Sequence, residues 1–209
     1  YIDDELAADA GLDLEVVEFT DYVQPNVALD DGSLDANYFQ TVPYLEEQEA
    51  SAGYDFTPLA PVHIEPLGIY SASLTDLAAL PDGATVAIPN DPSNQGRAIN
   101  VLVQAGLITL KDKNNLEPTP LDIDEKKSKV KVTPVDAAQT TSAHGEGTPA
   151  IINNSFLERA GIDPKTAIFQ DDPNSEEAEP YINVFAVREE DADNEDIKKL
   201  AELWHSDAV

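Results

Sequence analysis

No cysteine occurs among the 209 residues. That excludes disulfides, thiolate nucleophiles and cysteine-held metals, and it is compatible with either side of a membrane. Basic residues are scarce too, 12 against 41 acidic ones, for a formal charge of −29. So acidic a surface repels nucleic acid and anionic lipid headgroups. It favours solubility and says nothing about fold. No apolar run approaches the ~20 residues of a membrane-spanning helix, and no secretory signal pattern is present. The abrupt opening, "YIDDELAADAGLDLEVVEFTDY", has no initiating methionine and reads as part of a longer protein. Catalytic signatures are missing as well: no G-x-S-x-G, no G-x-x-x-x-G-K-[ST], no H-E-x-x-H and no G-x-G-x-x-G. No catalytic residue and no cofactor is therefore expected.

What is present reads as globular: 42% hydrophobic and 7% aromatic residues, in a chain long enough for one large domain or two small lobes. Residues 3–11 look like the end of a helix stopped by Gly11, and "LEVVEFT" (14–20) alternates like a strand. Residues 26–53 carry helical spacing on both sides of "DDGS", and 56–73 are strand-like but interrupted by Pro58, Pro61 and Pro66. A short helix followed by a turn is expected over 73–83 and a buried strand over 84–89. A helix follows from about Ser93 to Ala105, stopped by Gly106 and burying Ile99, Leu102 and Val103. Short strands and the main lysine cluster occupy 114–136, and a buried strand at 149–154 runs into the helix "SFLERAG". An exposed acidic loop (162–180), a strand (181–189) and a helix from about Asp193 complete the chain. Strands and helices alternating at this spacing imply α/β layers. There is no internal repeat.

One stretch raises a question. In "VAIPNDPSNQGRAI" (86–99), Arg97 stands at the start of a helix, where the macrodipole disfavours a cation. The stretch also lies at the carboxyl end of a strand, where open α/β sheets bind ligands. With Ser93 or Asn94 as cap, the free N–H groups and the guanidinium fork suit a carboxylate. The alternative is a surface arginine loosely paired with one of many acids. Asn153 ends the apolar run "PAII" and Asn183 interrupts "YINVFAV". Each must find partners when buried, from a zwitterionic ligand or from a neighbouring loop. His63 and Glu65 share a face of an extended strand, open to a proton relay, a metal pair or a pocket wall; the wall is preferred because no third ligand stands at a recognisable spacing. His144 and His205 read as solvent residues.

The blocks "DYVQPNVALDDGSLDANYFQTVPYLEE", "VHIEPLGIYS", "LPDGATVAIPNDPSNQGRAINVLVQAGLITLKD", "VDAAQ", "AIINNSFLERAGIDP" and "EPYINVFAVRE" resemble, in order and spacing, the methionine-binding lipoproteins of bacterial ABC importers. The resemblance spans nearly the whole chain. It implies a type II periplasmic-binding-protein fold, two α/β lobes with a ligand cleft between them and two crossing strands. The lobes would be residues 1–88 with 185–209, and 89–184. It further implies a lipid-anchored protein on the outer face of the cell membrane, delivering L-methionine or a close relative to a permease with a cytoplasmic ATPase. Carried over by position, Arg97 clamps the ligand carboxylate and Asn94 lies in the same loop. Asn153 and Asn183 hold the amino acid's polar end, and His63, Tyr70 and Tyr38 line the wall. The signal, the lipid-bearing cysteine and a first strand with its glycine/proline-rich loop would precede Tyr1, and the last helix would continue beyond Val209. Another amino acid, a methionine dipeptide or a surface-adhesin role are the alternatives, and no nucleic-acid partner or metal is expected.

Overall fold

The computed structural model describes residues 6–206, which divide into two compact units. The first combines the chain up to Ile64 with the chain from Glu179 onward; the second is Glu65–Ala178. The expected division at 88/89 and 184/185 is displaced from this one. The reason is hydrogen bonding: strands β3 (Gly68–Tyr70) and β4 (Thr85–Pro89) pair with β6 (Ala150–Ile152) in the second unit's sheet. Strand β8 (Ile182–Arg188) pairs along its whole length with strands of the first.

The first unit is built on an antiparallel sheet of order β1-β8-β2, with β1 at Asn37–Thr41 and β2 at Phe56–Ile64. Helix α1 (Gln24–Asp30) precedes β1, α2 (Val42–Ala52) follows it, and α6 (Glu195–Trp204) packs on β2. Leu29, Leu45, Phe56 and Ala186 form the core beneath α1 and α2. Three buried amides close a network beside it. Asn26 Nδ2 donates to Gln40 Oε1 (2.9 Å), while Asn26 Oδ1 accepts from Asn37 Nδ2 and Gln40 Nε2 (2.8 Å each). Gln40 Nε2 also reaches Asn37 Oδ1 at 2.9 Å.

Two expectations fail here. "NYFQT", expected to be helical, is strand β1. Residues 14–20, read as a strand, have no strand partner among the described residues, and Val16 is 60% exposed. The short helix and turn expected over 73–83 are present in reduced form, as a 3₁₀ turn at Leu77–Ala79 followed by a turn at 82–83. Pro58 and Pro61, which cannot donate to a ladder, sit within β2 where its register with β8 slips.

The second unit holds a mixed sheet of order β5-β4-β6-β3-β7, with β5 at Lys131–Val135 and β7 at Phe169–Gln170. Strand β4 runs parallel to β5 and β6, whereas β3 is antiparallel to β6 and β7. Successive side chains alternate across β4. Val86 and Ile88 face a core with Ile69, Leu102 and Ile151, in which Ile99 of α3 (Pro92–Gln104) is also fully buried. Ala87 faces Tyr70, Ile152 and Leu157 on the other side. Helix α3 ends as its sequence predicts, with Gly106 at φ 71°. Short helices α4 (Thr140–Gly145) and α5 (Leu157–Ala160) complete the unit.

Candidate ligand site

Strands β5, β4 and β6 are parallel neighbours, so their carboxyl ends open on one edge of the sheet. The chain leaves β4 through α3 toward β5 on one side and returns as β6 on the other. Such a change of direction is where open α/β sheets bind ligands. Pro92 opens α3, its missing N–H costing nothing at that position. The cap is Asp91, two positions before Ser93 and three before Asn94, the caps expected, because the helix already begins at Pro92. Asp91 Oδ1 accepts from the Asn94 backbone N–H and from Asn94 Nδ2, both at 2.9 Å. Burial pushes the Asp91 carboxyl above its ordinary 3.8. The Asn94 hydrogen bonds oppose that rise, and the charge of Asp136, at the end of β5, adds to it.

Asn153 stands just beyond β6. Its Nδ2 donates to Asn94 Oδ1 at 2.8 Å, joining the ends of β6 and α3. Its Oδ1 is buried and has no hydrogen-bond partner among the described residues. An unsatisfied buried acceptor costs about 1–3 kcal/mol, so this atom is poised to receive a donor.

Arg97 is the sixth residue of α3, not part of its first turn, and lies on the face of Asn94 three positions before it. Its long side chain leans back toward the helix start. The residue is 6% exposed. Nε and Nη2 both meet Asp171 Oδ2, at 3.0 and 2.9 Å, and Nη2 donates to the Glu65 carbonyl at 2.8 Å. This corrects the explanation of Arg97 by a ligand carboxylate alone. The chain supplies its own anion, and a buried guanidinium without one would be strongly destabilising. Asp171 follows β7, and its Oδ1 accepts from the Leu67 N–H at 2.7 Å. Sequence reasoning missed it inside a loop read as exposed. The available signal was that a buried arginine demands an acid, but nothing local distinguishes Asp171 from the other carboxylates of that loop.

Tyr70 lies in the second unit. It is 3% exposed. Its ring packs in the core with Ile152 and Leu157, and its hydroxyl donates to the Pro164 carbonyl at 3.5 Å. Burial raises the pKa of that hydroxyl. Gly68 is required beneath it, because a Cβ there would come within 2.7 Å of the ring.

Tyr38, His63 and Asn183 belong to the first unit and come together on its sheet. Asn183 of β8 lies opposite Thr41 of β1 and His63 of β2. The Tyr38 hydroxyl and His63 Nδ1 are 2.6 Å apart, and the Tyr38 ring packs on Phe185 and Trp204 with centroids 5.2 and 4.7 Å away. Glu65 lies in the second unit, where its Oε1 accepts from Asn154 Nδ2 at 2.9 Å. Among the described residues, His, Asp and Glu form no group of three able to hold a metal. No described helix is long and apolar enough to cross a membrane.

Known proteins resemble the chain throughout. It is 40% identical to the D-methionine-binding lipoprotein MetQ of Salmonella typhi over 202 residues, 95% of this chain and 73% of the relative. A crystal structure of the methionine-binding protein MetQ superposes with a TM-score of 0.90 at 37% identity, covering 98% of this chain and 83% of that one. A nutrient-binding protein from Burkholderia cenocepacia, solved bound to methionine, gives a TM-score of 0.89 at 39% identity, with 99% and 86% covered. These likenesses bear out the expected α/β fold of the periplasmic-binding-protein type. The sequence pattern of the NlpA lipoproteins matches residues 2–209, and the chain belongs to the NlpA lipoprotein family.

Proposed function

We propose that this chain is the substrate-binding component of an ABC importer for methionine, a carrier with no catalytic step. It would work on the outer face of the cell membrane, held by a lipid anchor, and hand its ligand to a permease driven by a cytoplasmic ATPase. The observation that carries the reading is the group at the carboxyl edge of β4 and β6. There a buried guanidinium stands one turn from a linked asparagine pair, and that pair leaves the Asn153 Oδ1 acceptor unmet.

Free amino acids present complementary chemistry to that group. The carboxylate would take donors from the guanidinium of Arg97 and the side-chain amide of Asn94. The ammonium would donate to Asn153 Oδ1. Asn183, Tyr38 and His63, gathered on the first unit's sheet, are proposed as ligand residues of that unit; aromatic edges suit a thioether. The likeness to methionine-binding relatives at about 40% identity selects the thioether amino acid among zwitterions.

Isothermal titration of the purified chain with L-methionine, D-methionine, alanine and glutamate tests this. Binding of methionine in preference to alanine and glutamate is expected, and mass spectrometry should find the same ligand released on denaturation. Tight glutamate binding with none for either methionine enantiomer would refute the assignment.

A further inference from the structure

Given the reading of the site as one for an amino acid, we propose that Asp171 sets its charge balance and makes it select zwitterions over simple carboxylic acids. Arg97 is not a lone cation waiting for an anion. Its Nε and Nη2 both meet Asp171 Oδ2, and the two side chains are 8% exposed each. Asp171 cannot swing aside cheaply, because its other oxygen is held by the Leu67 N–H and its own N–H donates to the Leu67 carbonyl at 3.2 Å. Arg97 is fixed in turn through the Glu65 carbonyl. The guanidinium is thus oriented and its charge already answered by a neighbour that backbone bonds lock in place.

A ligand carboxylate arriving at this arginine meets attraction from one buried charge and repulsion from another slightly farther away. In a desolvated site these nearly cancel, since neither is screened by water. The same strand edge carries two more acids, Asp91 and Asp136, whose fields act on each other. An anion alone therefore gains little beyond its hydrogen bonds. A ligand carrying its own ammonium brings a cation to this acidic edge and a donor for the unmet Asn153 Oδ1. Asp171 touches no ligand in this scheme. It is a positioning residue that acts through Arg97, and its effect falls on selectivity.

The probes are L-methionine and 4-(methylthio)butanoate, which shares the carboxylate and thioether but lacks the ammonium. Calorimetric titration of the full chain should show wild type preferring methionine by at least a hundredfold. In Asp171→Asn that ratio should fall at least tenfold, because the deamino acid gains affinity for an unbalanced arginine while methionine loses some. Asp171→Glu should return the ratio toward wild type. Equal weakening of both ligands in Asp171→Asn would mean a structural role only and would overturn the proposal. Should that variant not fold, the wild-type ratio alone decides: comparable affinity for the two ligands overturns the proposal, and a hundredfold preference supports it. Wild type binding neither ligand would instead remove the amino-acid reading itself, and this inference with it.

Discussion

Truncating Arg97 to alanine should damage the ligand-free protein as well as the site. The change removes both contacts to Asp171 and the bond to the Glu65 carbonyl, and leaves the Asp171 carboxylate, on a residue only 7% exposed, facing a void. Removing one partner of a buried pair typically costs about 3–5 kcal/mol. Loss of the two inner methylenes adds roughly 0.8 kcal/mol each. The sum, about 5–7 kcal/mol, is comparable to the whole stability of a typical domain, about 5–15 kcal/mol. Asp171→Ala should cost nearly as much, because Arg97 would keep only the Glu65 carbonyl among those partners. The double variant buries no unmatched charge and should be more stable than the two single effects predict, by about 2–4 kcal/mol of coupling. Hydrogen exchange at the amides of Val86 and Ile88, in the interior strand β4 of the second unit, reads the opening free energy of that unit directly. Arg97→Ala within about 1 kcal/mol of wild type, or single effects that add to within ~0.5 kcal/mol, would refute the claim that the pair is coupled and buried.

Asp91→Asn keeps the cap, since asparagine caps as well as aspartate, so stability at pH 7 should change by less than about 1 kcal/mol. The native Asp91 pKa is raised above its ordinary 3.8 by burial. Folded protein therefore binds the proton more tightly than unfolded, and this group's contribution falls as pH rises above 3.8. Denaturation midpoints measured from pH 4 upward should lose that component in the variant; an unchanged pH profile would contradict it. Gln40→Leu leaves the Asn26 amide and Asn37 Oδ1 each short of a bond inside the first unit. At about 1–3 kcal/mol per orphan, chemical denaturation should show a loss of about 2–6 kcal/mol, and a neutral result would dismiss the network as a stabilising element.

The parts legible in the sequence are those whose signals are local. β4 announced itself as an apolar run and α3 through its apolar stripe and the glycine past its end. Asn153 and Arg97 were visible because each is a polar interruption in a pattern that buries its neighbours. What escaped depends on contacts far along the chain. "NYFQT" becomes a strand because β8, about 145 positions later, supplies both its hydrogen bonds and its register. "LEVVEFT" has the right residue types, but a strand is made by its partner, and none is present among the described residues. Asp171 is buried through Arg97, 74 positions earlier, and no periodicity records such a pairing. The helix start was misplaced for a smaller reason: Pro92 already occupies a helical position, so the capping role passes back to Asp91.

The prolines of β2 carry a consequence beyond register. β2 forms one margin of the first unit's sheet, and an uncapped margin is a template onto which another chain can dock by main-chain hydrogen bonds. Pro58 and Pro61 each delete a donor, and the slips beside them break the regular spacing an incoming strand would need. Two ring-closed residues thus act as insulation along this border, and replacing both with valine would convert a quiet border into an adhesive one.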